Sequence, residues 1–145
     1  LERLERLAVS RDYVEPMRGR RRPFHFHRNG LGRLLGKDPL EIDLDVARRG
    51  GMEAQQLRAA ANAPIQGSSA DIIKVAMVQL QAALTSQGLP ARLLLQVHDE
   101  LVLEVKPEAL ETTRDTVVRT MENAVKLTVP LVAETGVGAS WMEAK

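Results

Sequence analysis

The sequence contains no cysteine. That excludes a disulfide framework and any zinc-finger spacing, and it is compatible with a reducing cytoplasm, where the protein is expected. No apolar run approaches the roughly 20 residues needed to cross a bilayer, so no membrane association is expected. The amino terminus lacks the charged, apolar and small-residue regions of a secretory signal. It starts at Leu1 rather than at a methionine, which suggests a fragment, a processed product or an incomplete sequence. There is no low-complexity tract and no internal repeat. Net charge is scarce too, at +1. What is left is an ordinary globular composition, 44% apolar and 27% charged, over 145 residues, enough for one domain with a modest core.

The charge is small because two opposite regions cancel. Residues 1–33 hold nine arginines and four acids, a balance of +5, and the remainder holds eleven Lys or Arg and fifteen acids, a balance of −4. Arg20, Arg21 and Arg22 follow Arg18 with only Gly19 between. Planar, permanently charged guanidinium groups in such a cluster can hold phosphates. On charge alone a solvated or localising basic segment is the plainer reading.

Leu1, Leu4 and Leu7 repeat at helical spacing and predict a short helix over residues 1–11. From Tyr13 to about Pro39, prolines and glycines predict irregular or hairpin structure. Residues 40–51 read as an exposed connection with one helical turn. A long helix is predicted from about Glu53 to Gln87, with Ile72, Ile73, Ala76, Met77, Leu80, Ala83 and Leu84 as its core stripe. Gly88 and Pro90 are its stop signal. Pro64 inside it removes a backbone donor and crowds the Ala60 carbonyl, so a kink or weakened turn is expected there. Leu93–Val97 and Leu101–Val105 read as a hairpin of two strands. Pro107 opens a second helix to about Leu127, burying Leu110, Val117, Val118, Met121 and Val125. A last strand is expected at Leu131–Thr135, then a tail with Trp141. Two long helices packed on a small antiparallel sheet make an α+β fold.

Two constellations carry chemistry. Val97-His98-Asp99-Glu100 stands between two apolar strands, where a hairpin tip is usually made of Gly, Asn or Asp-Gly pairs. Successive strand side chains point to opposite faces, so Asp99 and Glu100 do not serve one ion equally. Taken in isolation, a tripeptide of this kind is more often a polar turn than a metal site. On the long helix, Arg58, Asn62, Gln66 and Ser69 are spaced by four, four and three and line one narrow polar face. Asn and Gln donate to acceptors shared by base pairs in the minor groove, and Arg meets phosphate. Gly67 permits close approach of a backbone. A wet helix face is the plainer reading.

As a whole the text resembles a known family. Asn62 to Lys74 (NAPIQGSSADIIK), followed by Leu94 to Val102 (LLQVHDELV), resembles the final blocks of bacterial family A DNA polymerases, the polymerase I type. Tyr13 to Arg22 (YVEPMRGRRR) is similar to the segment that follows their fingers, and Val129 to Leu131 with Gly138 to Lys145 is similar to their carboxy terminus. Residues from about Asn29 to Gly51 are similar to an insertion in cyanobacterial versions. Pro16 and Arg18 depart from the pattern, standing where many relatives have a threonine and an aromatic residue.

The resemblance implies the carboxy-terminal part of a polymerase palm, with residues 1–51 as a basic post-fingers segment and insertion and residues 52–145 as helix, catalytic hairpin, helix and final strand. It implies that Asp99 is a catalytic ligand of two Mg²⁺ ions and Glu100 its catalytic acidic neighbour, with His98 at the primer terminus. Arg58, Asn62 and Gln66 would lie along primer–template DNA, with Arg21 and Arg22 as further DNA contacts. The family's first metal-binding aspartate and the Lys and Arg that hold the deoxynucleoside triphosphate belong to blocks that do not occur here. The ions would therefore be shared with an aspartate outside this chain. The remaining polymerase chain (fingers, thumb and rest of the palm) is an expected partner, and the chain alone is expected to be inactive. A non-catalytic DNA-binding or assembly module keeping the palm fold is the alternative.

Overall fold

Residues 2–11 are rich in Leu, Glu and Arg, strong helix formers, and they form α1 (Glu2–Arg11). The helix ends on Asp12, whose φ of 63° is left-handed and whose N–H donates to the Ala8 carbonyl. Asp is among the few non-glycine residues that tolerate that cap. The computed structural model describes residues 1–144, in two compact units, Leu1–Asp71 and Ile72–Lys145. Lys145, last residue of the stretch that resembles the family's carboxy terminus, lies outside the described residues. Among the described residues no helix is long and apolar enough to cross a membrane.

In the first unit α1 turns Glu5, Ala8 and Val9 inward rather than the Leu1/Leu4/Leu7 row, of which Leu1 is exposed. Glu5 can face inward because Arg48 Nε donates to its carboxylate at 3.0 Å. A short antiparallel hairpin follows, β1 (Tyr13–Val14) on β2 (Arg22–Pro23), paired Tyr13 to Pro23 and Val14 to Arg22. Two single-turn 3₁₀ helices, Leu31–Leu34 and Pro39–Glu41, precede α2 (Asp45–Arg48). Ala8, Val9, Val14, Phe24, Phe26, Leu31, Ile42 and Leu44 close over Leu57, Ala60 and Ala63 of the long helix α3 (Gly51–Ser86). The 40–51 stretch is thus not merely an exposed connection. Ile42 and Leu44 are almost completely buried, while Asp43 and Asp45 between and after them face water, an alternation of period two. The expected helical turn is there, as α2. Helix α3 runs unbroken through Pro64, so the missing donor is a gap in its ladder rather than a stop.

In the second unit α3 continues from Ile72, burying Ile73, Ala76, Leu80 and Leu84. Leu89 N–H donates to the Leu84 carbonyl and Gly88 N–H to that of Thr85, a Schellman end with Gly88 at φ 62°. Strands β3 (Ala91–Val97) and β4 (Glu100–Val105) pair antiparallel, with a bulge between Leu93 and Leu95. Pro107–Ala109 forms a 3₁₀ turn and α4 spans Leu110–Glu122. Leu80, Leu84 and Val117 form this unit's core, with Leu89, Ala91, Leu101, Leu103 and Met121 packed against it.

Three expectations fail here. Helix α4 ends at Glu122 instead of near Leu127: Asn123 is its C-cap, and the Asn123 side chain donates to the Arg119 carbonyl, in competition with the backbone. Its buried positions include Thr113 and Thr116, which apolar spacing does not reveal, and Leu110, Val118, Met121 and Val125 are only half-buried. Leu131–Thr135 is not a strand. Ala133 N–H donates to the Glu122 carboxylate and Arg114 Nε to Thr135 Oγ1, so this stretch is held by side chains in place of a ladder. The architecture is α+β, helices with two small antiparallel sheets where one was expected.

Candidate functional site

The antiparallel register of β3 and β4 brings Val97 opposite Glu100, leaving His98 and Asp99 as a two-residue connection. His98 has φ 54°, in the left-handed region where such turns ordinarily place Gly or Asn. Gln96 Nε2 donates to the His98 carbonyl and braces the tip. His98, Asp99 and Glu100 are all exposed. Neither carboxylate has an ion-pair partner among the described residues. Asp99 belongs to the turn and Glu100 to the first pair of β4, so the two neighbours occupy different backbone settings.

Carboxylate oxygen suits a hard divalent cation such as Mg²⁺, which is commonly held by one or two carboxylates together with water and substrate phosphate. Among the described residues no group of three His, Cys, Asp or Glu stands together to hold a metal. The hairpin tip therefore fits part of such a donor set, with Asp99 as its free oxygen donor.

The second constellation lies in the first unit. Arg58, Asn62, Gln66 and Ser69 are exposed on α3, and Leu57, Ala60, Ala61 and Ala63 are buried on its other side. Arg58, Asn62 and Gln66 have no hydrogen-bond or ion-pair partner among the described residues, so their donors are available to a ligand. Helical spacing alone located this stripe.

The basic run is less uniform than its sequence. Arg20 donates from Nη2 to Asp71 Oδ1 at 3.2 Å. Arg21 Nε is 3.1 Å from the Glu15 carboxylate, with its guanidinium 4.6 Å from the centre of the Tyr13 ring. Arg22 stacks over Phe24 at 5.5 Å and has no ion pair among the described residues. Gly67 does permit close approach, but to a side chain. A Cβ there would stand 2.5 Å from the Pro16 ring. Met17 N–H donates to Ser68 Oγ at 2.9 Å. Asp71 was not singled out from sequence. The available signal is an acid on the side of α3 that helical spacing assigns to the core.

Comparison with known proteins gives a consistent result. The family model for DNA polymerase family A matches residues 1–143. DNA polymerase I of Synechocystis sp., a cyanobacterial relative, is 50% identical over 145 residues, covering 100% of this chain and 14% of that protein. The DNA polymerase I of Lactococcus lactis subsp. cremoris is 41% identical, with the same coverage of both. The chain thus spans 14% of the length of these curated relatives. Among solved structures, the POL domain of Pol1 from M. smegmatis, in complex with DNA primer-template and dNTP, matches with a TM-score of 0.75 at 36% identity. That match covers 97% of this chain and 22% of the other.

Proposed function

Because the chain belongs to DNA polymerase family A, we propose that it supplies the catalytic hairpin and a primer–template face of a DNA-directed DNA polymerase, as the carboxy-terminal part of its palm. The reaction is template-directed addition of deoxynucleotides to a primer 3′-hydroxyl, with release of pyrophosphate, in the cytoplasm. The observation that carries this reading is the free Asp99 carboxylate on a two-residue hairpin tip, within a chain matched to the family over residues 1–143.

Asp99 would hold Mg²⁺, with Glu100 beside it. When bound, the metal pair supplies positive charge to the attacking and leaving oxygens of the phosphoryl transfer. His98 orients the primer terminus, fixed in place by its left-handed backbone and the Gln96 brace. Asn62 and Gln66 donate to minor-groove acceptors near the nascent pair, and Arg58 holds phosphate, with Arg21 and Arg22 as further backbone contacts. The second metal-binding aspartate and the triphosphate-binding residues come from the fingers and the rest of the palm.

The test replaces the matching residues of Synechocystis DNA polymerase I with this chain. The exchanged polymerase should extend a labelled primer with Mg²⁺ and deoxynucleotides, and the 145-residue chain by itself should add none. A folded exchange protein that binds duplex and never extends it would leave only a non-catalytic DNA-binding module.

A further inference from the structure

Resting on that functional reading, we propose that Asp71 is a positioning residue: it seats Arg20 and so fastens the Pro16–Arg22 segment to α3, leaving Arg21 and Arg22 as the arginines that meet DNA phosphates. Asp71 is only 8% exposed. A buried carboxylate is costly unless it is paired. Its Oδ1 accepts from Arg20, and its Oδ2 is buried with no hydrogen-bond partner among the described residues. Nothing on the solvent side of α3 requires an acid at this position, and an acid close to a phosphate-binding run opposes its work at distances below the Debye length of about 8 Å.

The rest of the segment explains what the acid does. The Pro16 ring lies on Gly67 with no room for a Cβ, and Met17 N–H donates to Ser68 Oγ. Gly19, at φ 72°, donates its N–H to the Pro16 carbonyl at 2.9 Å and closes the turn that brings Arg20 round. The three attachment points on α3 are residues 67, 68 and 71. At about 100° per residue they fall on the side of the helix roughly opposite Arg58, Asn62, Gln66 and Ser69. The segment is gripped from the core side while the polar stripe stays free. The grip also sorts the arginines: Arg20 is the one of the three paired with a buried carboxylate, whereas Arg21 pairs with the exposed Glu15 and Arg22 lies over the Phe24 ring without an ion pair among the described residues. An exposed pair such as Arg21–Glu15 is worth little and yields readily to a phosphate.

The proposal is separable from a direct role for Arg20 by the sign of one effect. If Arg20 itself held a phosphate, Arg20→Gln would lower the slope of log affinity against log salt by about 0.9. Asp71→Asn would then release Arg20 and tighten binding. The positioning role requires the reverse: Asp71→Asn removes a negative charge and nevertheless weakens duplex binding by the exchanged polymerase, about fivefold. The Arg20→Gln/Asp71→Asn double variant should be no weaker than the worse single one, since both break one attachment. In the full 145-residue chain, hydrogen exchange at the Met17 and Gly19 amides should accelerate in either single variant. The Asp12 amide at the end of α1 should stay protected.

Asp71→Asn binding as tightly as the parent or tighter, losses that multiply in the double variant, or unchanged exchange at Met17 and Gly19 would each overturn the proposal. An exchanged parent that fails to bind duplex at all would overturn the polymerase reading and the DNA half of this one. The amide exchange would still decide whether Asp71 holds the segment.

Discussion

Leu57 and Leu80 are both fully buried and stand on the same helix, but what covers them differs in kind. Over Leu57 lie α1, a β-hairpin, two phenylalanines and the buried pair Ile42 and Leu44, a core drawn from many elements. Over Leu80 lie one short helix and one hairpin of two strands. That hairpin leaves Leu94 50% and Leu95 42% exposed, and Val129, Val132 and Val137 beyond it are also open. A two-stranded sheet is marginal by itself, and clustered exposed apolar residues mark surfaces that other elements cover. The first unit therefore holds its polar stripe on a core drawn from several elements. The second carries its carboxylates on a sheet that fits completion by further strands, in keeping with the proposed partners.

The sharpest break in that comparison comes from the hairpin tip. In the exchanged polymerase, Asp99→Ala should lower turnover about a thousandfold or more, since charge stabilisation at developing oxygens acts mainly in the transition state. Glu100→Ala, at the start of β4, should cost much less. Equal losses from steady-state extension assays would mean that both carboxylates share one role.

Next is the contrast of cores. Leu57→Ala should destabilise the chain by about 2–5 kcal/mol in chemical unfolding, as emptied core sites do. Leu95→Ala, already partly exposed, should change it by less than about 1 kcal/mol. Comparable losses would mean that the second unit's sheet is as enclosed as the first unit's core.

A smaller effect sharpens the reading of the stripe. Gln66→Ala should slow extension from a matched primer end and change the ratio of matched to mismatched extension by a fewfold, without any preference for base sequence. Minor-groove acceptors are common to correct pairs, and a mismatch displaces them. Alanine keeps the helix, so lost helicity does not confuse the result. Unchanged matched and mismatched rates would return Gln66 to plain surface.

The smallest effect belongs to the first unit's own electrostatics. The Arg6 hydrogen bond, and after it the charge of Arg48, lowers the Glu2 carboxyl below its usual range. A lowered folded value means that ionised Glu2 favours the fold above the ordinary carboxylate range. That contribution fades as pH falls through the folded value. Glu2→Gln should therefore lower stability slightly at neutral pH, flatten the acid limb of the stability curve and leave stability at strongly acidic pH unchanged. Arg48 is raised by its hydrogen bond to Glu5 and titrates too high to matter in this window. An acid limb identical in parent and Glu2→Gln would show that the ion pairs of Glu2 with Arg6 and Arg48 do not contribute.

Much of this was legible beforehand because it rests on local rules. Gly88 ends α3 where a left-handed cap requires it, and apolar runs set β3 and β4 to within two residues. The stripe followed from spacing by three and four. What escaped depends on partners distant in sequence. Glu5 faces inward only because Arg48 meets it, and Thr116 is buried because its hydroxyl bonds to Gln87. Leu131–Thr135 was expected as a strand, but its amide and side-chain bonds go to Glu122 and Arg114. Asp71 was passed over since its meaning depends on Arg20, 51 residues away.

The proposed function divides the labour, with turnover assigned to the hairpin tip and duplex holding to the helix stripe. One paired measurement tests it, duplex affinity and single-turnover extension on Asp99→Ala and Arg58→Ala in the exchanged polymerase. Asp99→Ala should lose the rate and keep most of the affinity. Arg58→Ala should lose affinity for every sequence, with its salt slope reduced by about 1, and recover its rate at saturating duplex. Two variants that each lose rate and affinity in the same proportion would contradict the account.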